Sequence, residues 1–300
     1  MTMTDKNTPI PCDLCGSVKS KHFDTRSFRG LPVTNRLCSN CGLVYESPRL
    51  SDAELDAFYQ AEYRQLYQGQ EGPIVKDLLI QKARAQGLLS FTSPHLPKLN
   101  HHLDIGCSSG LLLETFRSAY NCIAAGIEPG NDYRAHARLR GLDVFESLDA
   151  LGQVTDPVQF DLISMAHVLE HIPDPAGYLR CLRETWLAPK GLLLLEVPNL
   201  YAHDSFEVAH LYSFSEHTLR QILSKAGYKI VKLEVHGQPR SEIIPLYITI
   251  LASDAGNPPK NWQVEPERNV RLKRTFGMLR RSFLSRFSPQ KAWKNFGPNK

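Results

Sequence analysis

Three hundred residues, 42% hydrophobic and 22% charged, hold one α/β domain of roughly 150–200 residues plus a small accessory module. They exclude a disordered or collagen-like chain. No run approaches the roughly 20 apolar residues of a membrane span; the longest, 191–197 and 243–252, are short and punctuated by Pro198 and Pro245. The net charge of +4 hides an asymmetry, because eleven Lys and Arg from Lys260 onward face only Glu265 and Glu267, which leaves the preceding 259 residues net negative by five.

The chain opens on a polar stretch, MTMTDKNTPIP, with no apolar signal region, so the expectation is a cytoplasmic chain with reduced thiols. Residues 1–50 read as a zinc-ribbon module. Cys12-Asp-Leu-Cys15-Gly16 and Cys38-Ser-Asn-Cys41-Gly42 are two C-x-x-C knuckles 22 residues apart, the spacing that closes four thiolates on one tetrahedral ion. Cys12, Cys15, Cys38 and Cys41 leave no open coordination position, so the expected Zn²⁺ is structural. Cys107, Cys122 and Cys181 sit in apolar patterns and read as packing.

Residues 51–98 read as a helical linker or cap. Ser51 and Glu54 form a capping box ahead of an aromatic stripe, Leu55, Phe58, Tyr59, Tyr63 and Tyr67, suited either to packing or to walling a substrate cleft. A second helix is expected near 74–89, before a loop over 92–98 that holds Pro94 and Pro97.

From 99 to 256 strand and helix patterns alternate, which predicts a doubly wound, mostly parallel sheet. Strands are expected near 101–105, 123–128, 143–146, 160–166 and 191–197, with helices near 110–119, 131–140, 175–187 and 216–226. Two closing strands near 229–236 and 243–252 suggest an antiparallel edge hairpin, for seven strands in all. The first strand runs into Asp104-Ile105-Gly106-Cys107-Ser108-Ser109-Gly110. Glycines in such a strand-to-helix turn let a ligand approach the backbone, and the helix N-terminus favours negative charge. Glu128 closes the second strand, 18 residues after Gly110, where a carboxylate can accept ribose hydroxyls. The spacing departs from the three-glycine dinucleotide pattern, which favours a ligand without a pyrophosphate.

These residues resemble the class I S-adenosylmethionine-dependent methyltransferases over about 150 residues. Asp104 to Gly110 looks like that family's first motif and Ile127-Glu128-Pro129 like its ribose-binding acid. Residues 160–172 look like its fourth strand and turn, 191–199 like its fifth strand, and 210–215 with 219–228 like the segment that follows in sugar and small-molecule members. A leading zinc ribbon is reminiscent of sugar C-methyltransferases. The resemblance implies S-adenosylmethionine (SAM) as cofactor, with Asp104, Gly106, Cys107 and Gly110 around its methionine part. It further implies Glu128 on the ribose, Pro129 against the adenosine, Glu146 and Ser147 facing the adenine, and His167 bordering the methionine end.

Deprotonating a neutral acceptor needs a base, and histidine suits neutral pH. His210, beyond the fifth strand, is the leading candidate for proton transfer and His171, before Pro173, the second; each could instead brace its loop. In sugar C-methyltransferases the segment around His210 carries two histidines and a tyrosine, whereas Glu207 and Val208 stand in two of those places here. Residues 257–300 read as a basic tail. Val270–Phe287 carries Leu272, Phe276, Leu279 and Phe283 at helical spacing among Arg271, Arg274, Arg280, Arg281 and Arg286, and 288–300 is expected to fray. That helix could dock on its own protein, on a protein partner or on an anionic membrane surface, which would make the chain peripheral there.

The expected function is methyl transfer from SAM to an oxygen or carbon of a small molecule or glycan intermediate, a sugar among them. The alternatives are an RNA base methyltransferase and a non-catalytic SAM-binding protein. Nucleic acid is disfavoured as a partner: the first module is not strongly basic, and His167–Glu170 stands where a base-clamping Asn-Pro-Pro-Tyr motif would be.

Overall fold

A computed structural model describes residues 10–28, 30–50, 54, 74–154, 158–204, 206–208 and 210–296. The expected aromatic stripe of 55–67 lies outside the described residues.

Between the two knuckles the chain folds back on itself as an antiparallel hairpin, β1 (Ser20–Phe28) and β2 (Leu31–Cys38). Strand β3 (Val44–Glu46) adds to β2. A module this small cannot enclose a core alone, and it borrows one. Its fourth strand, β9 (Tyr212–Ser213), comes from far along the chain. Leu14, Val33, Leu43 and Tyr45 belong to the same apolar cluster as Tyr212, Phe214, Leu219 and Leu223.

Helix α1 (Val75–Thr92) leads into β4 (His101–Ile105), α2 (Leu111–Tyr120), β5 (Ile123–Ile127), α3 (Asn131–Leu139) and β6 (Asp143–Phe145). The chain then crosses back through α4 (Leu148–Val154) to β7 (Phe160–Ala166), α5 (Pro175–Cys181) and β8 (Leu187–Pro198). After β9, α6 (Glu216–Ala226) precedes the hairpin β10 (Tyr228–His236) and β11 (Tyr247–Asp254). The sheet order is β10-β11-β8-β7-β4-β5-β6. Its first five strands in chain order are parallel and its hairpin is antiparallel. This is the expected doubly wound, Rossmann-like sheet of seven strands.

Strand β8 shows how the sequence builds it. Side chains alternate across a strand, so Leu193, Leu195 and Val197 enter the large core cluster while Leu192 and Leu194 pack with Phe91 of α1 and Phe116 of α2 on the other face. Both faces are covered, which is why the run GLLLLEV carries so few polar residues.

Local differences from expectation have local causes. The last strand starts at Tyr247 and not near 243, because Pro245 has no N–H to donate and the N–H groups of Ile243 and Ile244 go instead to Ser241 Oγ (3.2 and 2.9 Å). The helix expected over 175–187 ends at Cys181 and continues as a wider turn, Leu182–Trp186. Helix α4 was not expected; Ser147 Oγ caps it by accepting from Ala150 N at 3.1 Å. In the tail, α7 (Val270–Phe287) forms over the expected residues and is followed by a short α8 (Pro289–Ala292), whose Ala292 is buried. No helix among the described residues is long and apolar enough to cross a membrane.

Candidate active site

Strand order reverses between β4 and β7, the place where an open parallel sheet leaves a crevice beyond its C-terminal strand ends. A cavity of about 200 Å³ lies there, lined by Asp104, Gly106, Cys107, Ser108, Leu112, Ala166 and His167, with Gln81, Arg84, Ala85 and Leu88 of α1 as its outer wall. The turn after β4 has positive φ at Gly106 (70°), Ser108 (52°) and Gly110 (79°). A side chain at Gly106 would strike Val168 Cγ2, and one at Gly110 would strike Leu142 Cδ1. Both glycines are therefore required by the close approach of neighbouring elements as well as by the backbone.

Asp104 is buried and accepts from Ser164 Oγ at 2.6 Å, which in turn lies 2.8 Å from His102 Nε2. Burial pushes the Asp104 carboxyl up to about 7, with the nearby Glu128 charge adding to the rise against the Ser164 hydrogen bond. Glu128 ties the glycine turn after β4 to the next one, accepting from Ser108 N and Gly130 N at 2.9 Å each. Pro129 sits beside it with its carbonyl held by Arg134, whose guanidinium also lies 3.8 Å from the exposed Glu146. Glu128, Pro129, Glu146, Ser147 and Gly110 lie outside the cavity lining; Asp104, Gly106, Cys107 and His167 are in it.

His167 follows β7 in the left-handed region, φ 58°. Its ring stands between two buried carboxylates, with Nε2 3.3 Å from Glu196 Oε1 and Nδ1 3.6 Å from Glu170 Oε1. Glu196 also receives Arg84 Nε (2.7 Å) and Thr249 Oγ1 (3.0 Å). Burial alone would raise both carboxyls. The His167 ring beside each outweighs it, aided by Arg84 at Glu196 and by the His171 and His210 rings at Glu170, so both are held down to about 2. Among the described residues, neither oxygen of Glu170 accepts a hydrogen bond.

The structure brings together the two histidines proposed as bases. His171 follows Glu170 in the Leu169–His171 turn, and its ring meets that of His210 edge-on at 4.6 Å. Glu170, His171 and His210 each offer an atom within 4.8 Å of the others, close enough to hold a common cation. Gln81, Arg84 and Glu196 were missed by the sequence reading. Gln81, Arg84, Ala85 and Leu88 follow the i, i+3, i+4, i+7 spacing of one helix face, a signal present in a helix assigned only to the linker.

In the first module the four thiols converge. Cys12 and Cys41 sulfurs are 3.5 Å apart, as are those of Cys15 and Cys38, and all four lie within 4.8 Å of one another. Tetrahedral zinc with thiolate bonds near 2.3 Å separates its sulfurs by about 3.8 Å, so the set fits that ion. Hydrogen bonding to neighbouring thiols, with burial, pushes Cys12 and Cys41 above the usual thiol range; a bound cation would displace those protons.

Residues 79–233 match the family model described as a methyltransferase domain, more than half of the chain. The chain belongs to the methyltransferase-domain family. This methyltransferase-family chain is 34% identical over 102 residues to a ubiquinone biosynthesis O-methyltransferase of Aeromonas salmonicida, covering 32% of this chain and 42% of that protein. It is 31% identical over 131 residues to one from Dinoroseobacter shibae, covering 42% and 52%. It thus spans about half the length of these curated relatives. The solved 1,6-didemethyltoxoflavin-N1-methyltransferase of Burkholderia thailandensis shares the fold, with a TM-score of 0.53 at 17% identity over 73% of this chain and 98% of that one.

Proposed function

We propose that this chain transfers a methyl group from SAM to an oxygen or carbon of a small molecule or glycan intermediate, a sugar being one candidate acceptor. The observation that carries the proposal is the cavity at the sheet reversal, where a glycine-hinged turn and a buried acid adjoin a histidine–carboxylate cluster. The O-methyltransferase relatives support an oxygen acceptor on a small molecule.

SAM, when bound, supplies an electrophilic methyl group. Asp104 and the backbone around Gly106 would hold its methionine part, and Glu128 its ribose. The α1 wall, with Leu88 and Ala85, excludes water from one side of the cavity. His171 and His210 would take the acceptor's proton, with Glu170 stabilising the imidazolium that forms. Orientation contributes roughly 7–11 kcal/mol to such a displacement, and the base about 10²–10⁴-fold.

The test is label transfer from methyl-labelled SAM, offered first a low-molecular-weight metabolite extract and then total RNA. Label in small molecules is expected. Label in RNA alone, or protein that binds neither SAM nor S-adenosylhomocysteine, would overturn the proposal.

A further inference from the structure

The tail helix α7 has two unlike faces. Its inner face is fastened to the turn that leaves β8. Arg274 is buried and donates to the carbonyls of Leu200 and His203, the latter at 2.6 Å, and to Asp204 at 3.1 Å. Arg281 donates to Ala202 O at 2.9 Å. Gly277 sits so close to the Tyr201 carbonyl that no Cβ would fit. The helix is thereby held as a fixed part of the fold.

The outer face is apolar and uncovered. Leu272, Phe276, Leu279, Phe283 and Phe287 are 59–69% exposed. At 3.6 residues per turn they fall within an arc of about 80°. Soluble surfaces scatter such residues singly, and a continuous stripe marks an interaction surface. Arg280 borders the stripe on one side, next to Lys273, whose ammonium is paired with Glu267 at 2.8 Å, and Arg271 and Arg286 border it on the other. All four are exposed, and the helix contains no Asp or Glu.

We infer that α7 is an interfacial helix that docks the protein on an anionic lipid bilayer. An apolar stripe edged by cations on both sides matches acyl chains flanked by anionic headgroups. A second copy of this helix is a poor occupant, since two faces edged only by cations would repel. The docked turn 199–204 leaves the C-terminal end of β8, the same end of the sheet as His167 and the glycine turn. A docked membrane therefore lies about one helix diameter, roughly 10–12 Å, from residues 200–204.

The experiment is co-sedimentation of the full chain with phosphatidylcholine vesicles, with and without phosphatidylglycerol. Tighter binding to the anionic vesicles is expected, weakening as salt rises. Each cation at such a surface is worth about fivefold, so Arg280→Glu with Arg286→Glu should lose more than about 25-fold. Phe276→Ser with Phe283→Ser should lose at least about tenfold on anionic vesicles. Both pairs should keep the wild-type unfolding midpoint, because these side chains face away from the protein. The inference is overturned by equal sedimentation with both vesicle types, or by a serine pair that binds as tightly as wild type. A wild-type dimer that the serine pair converts to monomer would overturn it as well, and would assign the stripe to a second copy.

Discussion

Asp104 offers the sharpest test of the cofactor site. Its carboxyl is pushed up to about 7 by burial, and the proposed role is to receive the ammonium of the cofactor's methionine part. Only the ionised carboxylate attracts that group. A raised carboxyl is ionised above its pKa and takes up a proton below it, so affinity falls as the pH drops through about 7. With that value, lowering the pH from about 7.5 to about 5.5 should weaken binding roughly 25-fold, since each pH unit below the pKa costs about tenfold. The assay is calorimetric titration with S-adenosylhomocysteine, which keeps the ammonium and cannot turn over. Asp104→Asn should bind about 10–100-fold more weakly near pH 7.5, the worth of a hydrogen bond to a charged group, and should lose the acid limb. A wild type flat through this range, or an Asn variant that keeps the slope, would show that another group anchors the ammonium.

Four further outcomes follow from the same geometry. Arg84→Met removes a 2.7 Å partner from the buried Glu196; breaking such a pair costs about 3–5 kcal/mol, toward the low end here because Thr249 remains, and should appear as a lowered denaturant midpoint. Gly110→Ala forces a side chain onto φ 79° and into Leu142, so a loss of about 1–3 kcal/mol and weaker cofactor binding are expected in parallel titrations. His210→Asn should lower kcat by about 10²–10⁴-fold while leaving S-adenosylhomocysteine affinity unchanged; a matching loss of affinity would assign the ring a binding role instead. Chelating the metal should lower the unfolding midpoint of the whole chain and not only of its first residues, because the knuckle cysteines share a core cluster with the main sheet; a separate early transition by circular dichroism would contradict that.

What the sequence disclosed was what is local. Alternating apolar runs located the strands of the sheet, glycine spacing located the turn after β4, and paired cysteines located the four-thiol cluster. Long-range partnerships were invisible. Nothing in Tyr212 and Ser213 says that they will pair with Val44 and Tyr45, nor does Glu267 announce that its backbone will meet the second knuckle at Cys41 O. The carboxylate of Glu196 is hidden in the apolar run of β8, and its meaning depends on Arg84, 112 residues away. His171 and His210 were visible separately because histidine is chemically conspicuous; that their rings meet edge-on is a contact between residues 39 positions apart.

The charges around that meeting point constrain how a base could work there. Glu196 and Glu170 are both ionised in the folded chain, and one permanent cation, Arg84, is paired with the first. Among the described residues Glu170 has no such partner and accepts no hydrogen bond, and an uncompensated buried carboxylate costs several kcal/mol, so the imidazoles around it matter to its charge. The rings of His167, His171 and His210 are what hold its carboxyl down against burial, and two of those rings are the candidate bases. Replacing either one therefore acts on Glu170 as well as on proton transfer: with a ring gone, burial pulls the carboxyl back up. A kcat loss in a histidine variant that is recovered as the pH rises would trace to Glu170, and one that stays at every pH to the missing base.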